Sequence, residues 1–200
     1  MKNQGRVLNG RLWKILIFMG LMIACLAIRF DFYYDLNDDT AIRDILSGRY
    51  TGEPSGYCIQ MLYPLGWLIA TAYRAIRKVS WYGLFLCTCQ FGVLALIAWR
   101  LTSVTRKVWL QVILLILEGV LAFGLMGREL VILQYSVTSG LCMAGAIFWY
   151  LTTPRDQKPA PYLRGNLAAV ILVLIAFMIR TEVCMMLLPF LALAGLSQWA

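Results

Sequence analysis

The sequence predicts an all-α fold, a polytopic transmembrane helical bundle of about six spans with short surface helices in its first outer loop. Two observations predict this fold. Hydrophobic residues make up 61% of the 200-residue chain and charged residues 14%. A soluble domain carries roughly 45–50% apolar residues and about 25% charged residues. The apolar residues are also gathered into runs close to the ~20 residues that cross a bilayer. We therefore expect residues 1–200 to form a single transmembrane domain, either complete or the N-terminal part of a longer protein.

The net charge of +8 arises from 18 basic and 10 acidic residues. The basic residues lie in short clusters between the apolar runs, a pattern that orients a polytopic chain and does not form a nucleic-acid-binding face. Histidine is absent, which excludes histidine-based triads, imidazole metal sites and histidine proton relays. Any acid–base chemistry therefore depends on the few carboxylates. The six cysteines show neither a disulfide framework nor a zinc site.

The apolar runs supply the expected spans in order. The first run, residues 12–30, begins within a cluster of four basic residues (Lys2, Arg6, Arg11 and Lys14) and lacks an A-x-A cleavage site, so we expect an uncleaved signal-anchor helix with a cytoplasmic N-terminus. The last run, residues 167–199, is too long for one helix and is interrupted by the polar break Arg180-Thr181-Glu182, which contains two charged residues and predicts two spans that meet there. The runs between them are residues 81–99, 108–127 and 130–151.

Residues 58–73, which contain Pro64 and Gly66, allow two interpretations. If this segment spans the membrane, the basic clusters at 100–107 and 155–164 face outward. If it lies on the membrane surface, both clusters face the cytoplasm together with the N-terminal one. The positive-inside tendency favours the surface interpretation. The expected result is an outer loop over residues 31–80 that carries surface helices.

Six of the ten acidic residues lie between residues 31 and 53. The pair Asp38 and Asp39 precedes a short amphipathic segment that ends at Gly48. Helix capping explains one of these aspartates well, because an N-cap carboxylate accepts hydrogen bonds from free backbone N–H groups. Capping explains the adjacent aspartate poorly. On the residues alone, a capping or solvated pair and a functional pair both remain open.

The same loop contains three further motifs: residues 45–50 (ILSGRY), 63–67 (YPLGW) and 80–83 (SWYG). A first span, an outer loop with Asp38-Asp39 and these motifs together resemble the N-terminal half of a GT-C-type membrane glycosyltransferase. That superfamily uses polyprenyl-phosphate-linked sugars as donors. Its members are longer and have more spans, so the chain resembles a partial or truncated member.

The resemblance implies roles for several residues. An acidic motif in the first outer loop carries the catalytic base of the superfamily, which implies catalytic roles for Asp38 and Asp39. A second acidic motif in the next outer loop corresponds here to Arg128-Glu129, a substrate-binding candidate. A basic residue at a break between apolar segments meets the lipid phosphate, which implies this role for Arg180.

The residue types fit this chemistry. A base must take a proton from the acceptor hydroxyl, and a carboxylate is the available side chain. The leaving phosphate needs positive charge, from arginine or from a divalent cation such as Mg²⁺ or Mn²⁺. Asp38, Asp39 and Glu129 are the candidate metal ligands. Alternatively, Arg180 is an interfacial anchor or a partner of Glu182, and Glu129 pairs with Arg128 at a helix end.

The apolar runs also contain polar residues, namely Glu118 and a group of four residues after it. Glu118 is mid-span, where an ionised carboxylate is costly, so we expect it to face the bundle interior or to be protonated. Another group is expected to form interhelical hydrogen bonds. It consists of Gln134, Tyr135, Thr138 and Ser139.

The expected function is transfer of a sugar from a polyprenyl-phosphate donor to a cell-envelope acceptor. The expected location is a bacterial cytoplasmic membrane, which the chain crosses several times, with the acceptor on its outer face. The lipid bilayer is a partner and nucleic acid is not. One alternative is a transporter or flippase subunit, for which charges near the midplane such as Glu118 matter and loop aspartates do not. Another is an inactive fragment.

Overall fold

The structure, a computed structural model, describes residues 2–35, 38–154 and 159–199. These residues are helical almost throughout, with one pair of two-residue strands, so the predicted all-α helical bundle is confirmed. The helices are α1 (Lys2–Arg29), α2 (Asp38–Ser47), α3 (Tyr63–Ala75), α4 (Trp81–Val104), α5 (Val108–Val131), α6 (Tyr135–Leu151), α7 (Pro159–Gly165), α8 (Leu167–Ile179) and α9 (Thr181–Trp199). The strands are β1 (Tyr33–Tyr34) and β2 (Ile132–Leu133).

Three segments are long and apolar enough to cross a membrane: Gly10–Arg29, α4 and α5. Three further apolar helical segments are shorter, with 10–17 residues: α6, α8 and Thr181–Ser197 of α9. Large apolar side chains cover the outside of the bundle. On α5, Ile116, Val120 and Leu125 are 60%, 62% and 79% exposed. These features indicate a membrane protein, because water would not tolerate so continuous an apolar surface.

The helices alternate in direction, so their ends gather into two groups. Strand β1 follows α1 and pairs in parallel with β2, which follows α5, with Tyr33 opposite Ile132. The ends of α1 and α5 therefore lie beside α2, and we call this the α2 end. At the opposite end, which we call the α7 end, Lys14 Nζ donates to Gln111 Oε1 at 2.6 Å and Arg100 donates to Thr153 Oγ1 at 2.6 Å.

The segment between α1 and α4 begins and finishes at the α2 end. Tyr34, at its start, shares a hydrogen bond with Ser80, at its finish. Helix α3 has 13 residues, a length of about 20 Å, which is short of the ~30 Å hydrocarbon core. The chain thus returns to the end it left, as the surface interpretation of residues 58–73 requires.

Helices α8 and α9 meet at Arg180, the one residue between them. The end of α8 lies beside the first half of α6, where Ser139 Oγ donates to the Ala176 carbonyl at 2.9 Å. The start of α9 lies beside the middle of α6, where Cys184 Sγ is 3.6 Å from Met143 Sδ. The chain therefore reverses direction at the charged break that the sequence predicted, and Arg180 lies at the α2 end.

A buried apolar cluster supports α2. Ile42 and Leu46 of α2 are fully buried against Leu65 and Ile69 of α3 and against residues of α4. The spacing of the α2 residues places them on one face of the helix. The helix stops before Gly48, whose φ of +78° favours glycine.

Candidate functional site

The first turn of α2 places Asp38 and Asp39 at the α2 end of the bundle. Carboxylates at this position interact favourably with the positive end of the helix dipole. The two side chains point to different surroundings, because neighbouring helical residues lie about 100° apart around the axis. Asp38 is exposed and Asp39 is fully buried. The pair therefore divides into an accessible carboxylate and an enclosed one.

Asp39 is held by α4 and α6. Its Oδ1 accepts a hydrogen bond from the Tyr82 hydroxyl at 2.6 Å and another from the Tyr135 backbone N–H at 3.0 Å. Its Oδ2 is buried without a hydrogen-bond partner within the described part of the chain. Burial raises the pKa of Asp39 from 3.8 to about 6, although the hydrogen bonds from Tyr82 and Tyr135 act in the opposite direction. Asp39 thus ties α2 to two neighbouring helices.

Asp38 lies on the open side of the site. Its Oδ2 accepts a hydrogen bond from the Tyr135 hydroxyl at 3.0 Å. Because the side chain is exposed, a substrate hydroxyl can approach the carboxylate. Both aspartates therefore contact Tyr135, Asp39 through the backbone and Asp38 through the phenol.

Arg180 lies on the ring of the same tyrosine. Its Cζ is 5.1 Å from the centre of the Tyr135 ring, within the range of a cation–π interaction. The guanidinium also donates to Ser136 Oγ and lies 3.6 Å from Glu182 Oε2. The pairing with Glu182 that the sequence allowed is therefore present, and so is proximity to the aspartate pair.

An aromatic layer surrounds Asp39. The Tyr34 ring stacks on the Tyr82 ring, with 5.6 Å between the ring centres. Gly83 permits this approach, because a Cβ at position 83 would lie 2.6 Å from the Tyr34 hydroxyl oxygen. The glycine of the SWYG motif thus has a packing role. Next to this layer, Gln134 Nε2 donates to Asp35 Oδ2 at 3.0 Å.

The sequence analysis did not assign site roles to Tyr82 and Tyr135. Tyr135 was grouped with residues expected to make interhelical hydrogen bonds, and Thr138 does so by accepting one from Gln90 Nε2 at 3.0 Å. Two signals are present in the sequence: Tyr82 lies in the SWYG motif, and Tyr135 lies in a polar stretch, between Gln134 and Ser136, within the apolar run 130–151. Neither signal indicates an aspartate as the partner.

Arg128 and Glu129 occupy the last turn of α5, also at the α2 end. The predicted ion pair between them is not among the salt bridges of the described residues, which join Arg43 to Asp44 and Arg180 to Glu182. The backbone carbonyl of Glu129 accepts from Gln90 Nε2 at 3.5 Å. In residues 2–35, 38–154 and 159–199, no three His, Cys, Asp or Glu side chains form a metal-binding group.

Glu118 lies away from this site. It is 6% exposed and lines an apolar cavity of about 320 Å³ between α4, α5 and α6. Ten residues separate it from Arg128 along α5, a distance of about 15 Å. It faces the bundle interior, which is one of the two outcomes expected for a mid-span carboxylate.

The α2 end thus gathers an exposed carboxylate, a buried carboxyl group and a guanidinium around Tyr135. This arrangement can take a proton at Asp38 and can bind an anion at Arg180. The resemblance to GT-C-type glycosyltransferases rests on the motifs alone. Comparison of the chain with protein-family models, with curated proteins and with solved structures finds no match.

Proposed function

We propose that this chain is a multi-pass GT-C-type glycosyltransferase of the cell membrane. It transfers a sugar from a polyprenyl-phosphate donor to a hydroxyl group of a cell-envelope acceptor. The observation that carries the proposal is the placement of Asp38 and Arg180 on one tyrosine: the Asp38 carboxylate accepts from the Tyr135 hydroxyl, and Arg180 lies on the Tyr135 ring. Sugar transfer from a lipid phosphate needs a base close to a cation that binds the phosphate. Here both groups contact the same side chain, that of Tyr135.

Asp38 is the general base. It removes the proton of the acceptor hydroxyl as the hydroxyl oxygen forms a bond to the anomeric carbon of the donor sugar. The bond between that carbon and the phosphate oxygen breaks, and the electron pair leaves with the polyprenyl phosphate. The phosphate is a weak base, so it needs no proton from a general acid. Exposure of Asp38 supports this role, because the acceptor must reach the carboxylate.

Asp39 is a positioning residue in this proposal. Its hydrogen bonds to Tyr82 and to the backbone of Tyr135 fix α2 against α4 and α6. Loss of these bonds would move Asp38 relative to the Tyr135 phenol. Catalytic groups must be held to a fraction of an ångström, so such a displacement lowers the rate without removing a reacting group.

Arg180 binds the donor phosphate. Arginine suits this role because its planar guanidinium donates two parallel hydrogen bonds to a phosphate. Its place at the turn between α8 and α9 supports this assignment, since both helices hold its backbone. A divalent cation, Mg²⁺ or Mn²⁺, would neutralise the phosphate charge, and Asp38 is an exposed carboxylate of this site that could hold it. Such ions take their other ligands from phosphate and water.

The proposed orientation places the α2 end outside the cytoplasm. Ten of the 18 basic residues belong to three clusters of the sequence, and the described members Lys14 and Arg100 lie at the α7 end. The ten residues are Lys2, Arg6, Arg11, Lys14, Arg100, Arg106, Lys107, Arg155, Lys158 and Arg164. The positive-inside tendency therefore supports a cytoplasmic N-terminus and an outer acceptor.

Substitution of Asp38 tests the proposal. Asp38→Asn keeps the shape of the side chain and a hydrogen bond from Tyr135, but an amide does not take a proton at neutral pH. We expect transfer of a radiolabelled sugar from polyprenyl phosphate in membranes to fall at least about 100-fold. Glu53→Gln, a change at an exposed acidic residue of the same segment, is the control and should retain the parent rate. Transfer by Asp38→Asn at the parent rate would refute the proposal.

A transporter or flippase subunit is the alternative, and burial of Glu118 in an apolar cavity favours it. A carboxyl group near the membrane midplane is typical of ion-coupled transport. For a transporter, Glu118→Gln should stop movement of the transported lipid or solute, and Asp38→Asn should have no effect. The transferase predicts the opposite pattern.

A further inference from the structure

A second cavity, of about 740 Å³, lies between the ends of α1 and α5 at the α2 end. Its apolar wall includes Leu26, Phe30 and Phe123, and its polar rim includes Arg29, Asp31 and Arg128. Both bounding helices are long and apolar enough to cross a membrane. The rim therefore lies where two candidate spans end, at the depth of the lipid headgroups.

The two arginines of the rim are available for a ligand. Arg29 and Arg128 are both exposed, and neither side chain forms a salt bridge or a hydrogen bond with another residue of the described ranges. A basic residue in the last turn of a helix interacts favourably with the helix dipole, which accounts for each position separately. It does not account for an open cavity with an apolar wall between the two side chains.

We propose that this cavity binds a glycerophospholipid of the bilayer. The phosphodiester lies between the guanidinium groups of Arg29 and Arg128, and an acyl chain follows Leu26 and Phe123 toward the membrane interior. Basic pockets between transmembrane helices bind anionic lipid headgroups in this way. The lipid would close the gap between α1 and α5 beside β1, which leads directly to the aspartate pair.

The charge of the rim fits a phosphodiester. Two arginines and Asp31 give a net charge of +1, which matches the single negative charge of a phosphodiester. A free polyprenyl phosphate is a phosphomonoester, which carries up to two negative charges and would lie close to the Asp31 carboxylate. The sugar-linked donor is itself a phosphodiester, so the binding test below distinguishes it from a glycerophospholipid. Asp31 instead accepts a hydrogen bond from a headgroup hydroxyl. The cavity is thus distinct from Arg180, which contacts Tyr135 and Ser136.

Native mass spectrometry of the purified, delipidated chain tests this site with phosphatidylglycerol as the probe. Arg29→Gln combined with Arg128→Gln should weaken phosphatidylglycerol binding at least about tenfold, since two charge-assisted contacts are lost. Arg77→Gln, at an exposed arginine outside the cavity, should bind as the parent does. Diacylglycerol, which has the chains without the phosphate, should bind weakly to every variant.

A second variant fills the cavity without a change of charge. Gly127 lines the cavity, and a Cβ at this position meets no atom within 4 Å, so a leucine there can extend into the cavity: Gly127→Leu should fold and should displace the lipid. Gly124→Leu, one turn earlier and also unobstructed, is the matched control. The proposal is wrong if the double arginine variant or Gly127→Leu binds phosphatidylglycerol as the parent does. It is also wrong if the arginine variants lose binding only of polyprenyl phosphate or of a polyprenyl-phosphate sugar, since the cavity would then hold the carrier lipid.

Discussion

Asp39 has two carboxyl oxygens in different surroundings. Oδ1 accepts hydrogen bonds from Tyr82 and from the backbone of Tyr135, whereas Oδ2 is buried without a hydrogen-bond partner among the residues described. A buried carboxylate with one unsatisfied oxygen is costly, so the neutral acid is favoured relative to an aspartate in water. The raised pKa of Asp39, about 6, reflects this preference for the neutral acid. Stability of the α2 end is therefore coupled to pH.

Acidification from pH 7 to pH 5 should stabilise the protein. The pKa of Asp39 is higher in the folded chain than the ordinary 3.8, so the folded state binds the proton more tightly. This contribution is complete below pH 3.8 and is lost as the pH rises through about 6. Between pH 7 and pH 5 it amounts to about 1 kcal/mol, or about 2–4 °C in Tm. Thermal unfolding in detergent at both pH values measures it.

The control variants separate Asp39 from other acidic groups. Asp39→Asn does not titrate, so its Tm should change little between pH 5 and pH 7. Asp44→Asn, which removes a surface partner of Arg43, should keep the pH dependence of the parent. An unchanged pH dependence in Asp39→Asn would assign the titration to another group.

Arg180→Lys should impair sugar transfer even though it keeps the positive charge. A lysine ammonium is a point charge and does not reproduce the planar fork that binds a phosphate with two hydrogen bonds. It would also lose the cation–π contact that a planar guanidinium makes with Tyr135. We expect at least about tenfold weaker binding of a polyprenyl-phosphate analogue together with slower transfer. Unchanged binding by Arg180→Ala would leave Arg180 as an interfacial anchor.

The sequence predicted the candidate residues of the site better than their contacts. Two charged residues, Arg180 and Glu182, inside an apolar run indicate a break, and Arg180 does lie at a helix junction. Asp38 and Asp39 were recognised as a pair, but their different burial was not predicted. That difference depends on Tyr82 and Tyr135, which are 43 and 96 residues from Asp39 along the chain. Periodicity describes one element at a time and contains no information about such pairs.

At the scale of the elements, the position of α3 depends on two glycines. A Cβ on Gly66 would collide with the Gly56 backbone, and a Cβ on Gly56 would lie 2.7 Å from Trp67 Cα. The segment before α3 therefore packs directly on the helix backbone, and only glycine permits this distance. This contact holds α3 at the surface, where it supports α2 through Leu65 and Ile69.

Gly66→Ala should destabilise the protein by about 1–3 kcal/mol, because the obstructing atoms are backbone and do not move independently. Gly92→Ala is the matched control: position 92 is also helical, and a Cβ there meets nothing within 4 Å. It should be neutral or slightly stabilising, since alanine favours helix more than glycine. Equal unfolding temperatures for the two variants would contradict the proposed role of the glycine contact.

The helices of the bundle were more predictable than α2 and α3. Long apolar runs of near-constant hydropathy define α4 and α5 by composition alone. For residues 58–73, the proline and glycine content allowed either a span or a surface helix. The choice followed from charges elsewhere in the chain, and the structure places the helix by packing against α2 and α4. The local sequence of residues 58–73 does not predict this packing.

At the scale of the whole molecule, the proposed orientation predicts which side a thiol reagent reaches. The native Cys58 should react slowly with a thiol reagent. Burial raises the pKa of its thiol to about 11, and the thiolate is the reactive form. Tyr50→Cys, at a residue that is 82% exposed, should be labelled in intact cells by a membrane-impermeant maleimide. Arg106→Cys, exposed at the α7 end, should be labelled only after permeabilisation.

The parent chain gives the background labelling of the native cysteines. Labelling of Arg106→Cys in intact cells would reverse the orientation and place Asp38 and Arg180 in the cytoplasm. A transferase with an outer acceptor would then be excluded.

The hydrogen bond between the Tyr135 backbone and Asp39 joins residues that are 96 positions apart in the chain. The ribosome therefore synthesises Asp39 well before Tyr135. At a translation rate of about 5–20 residues per second, the aspartate leaves the ribosome some 5–20 s before its partner. Strand β1 is synthesised before its partner β2 by a similar interval. The acidic segment is therefore synthesised early and assembled late. A nascent chain arrested before residue 132 would display α2 at the membrane surface without the strand and the tyrosine that enclose Asp39.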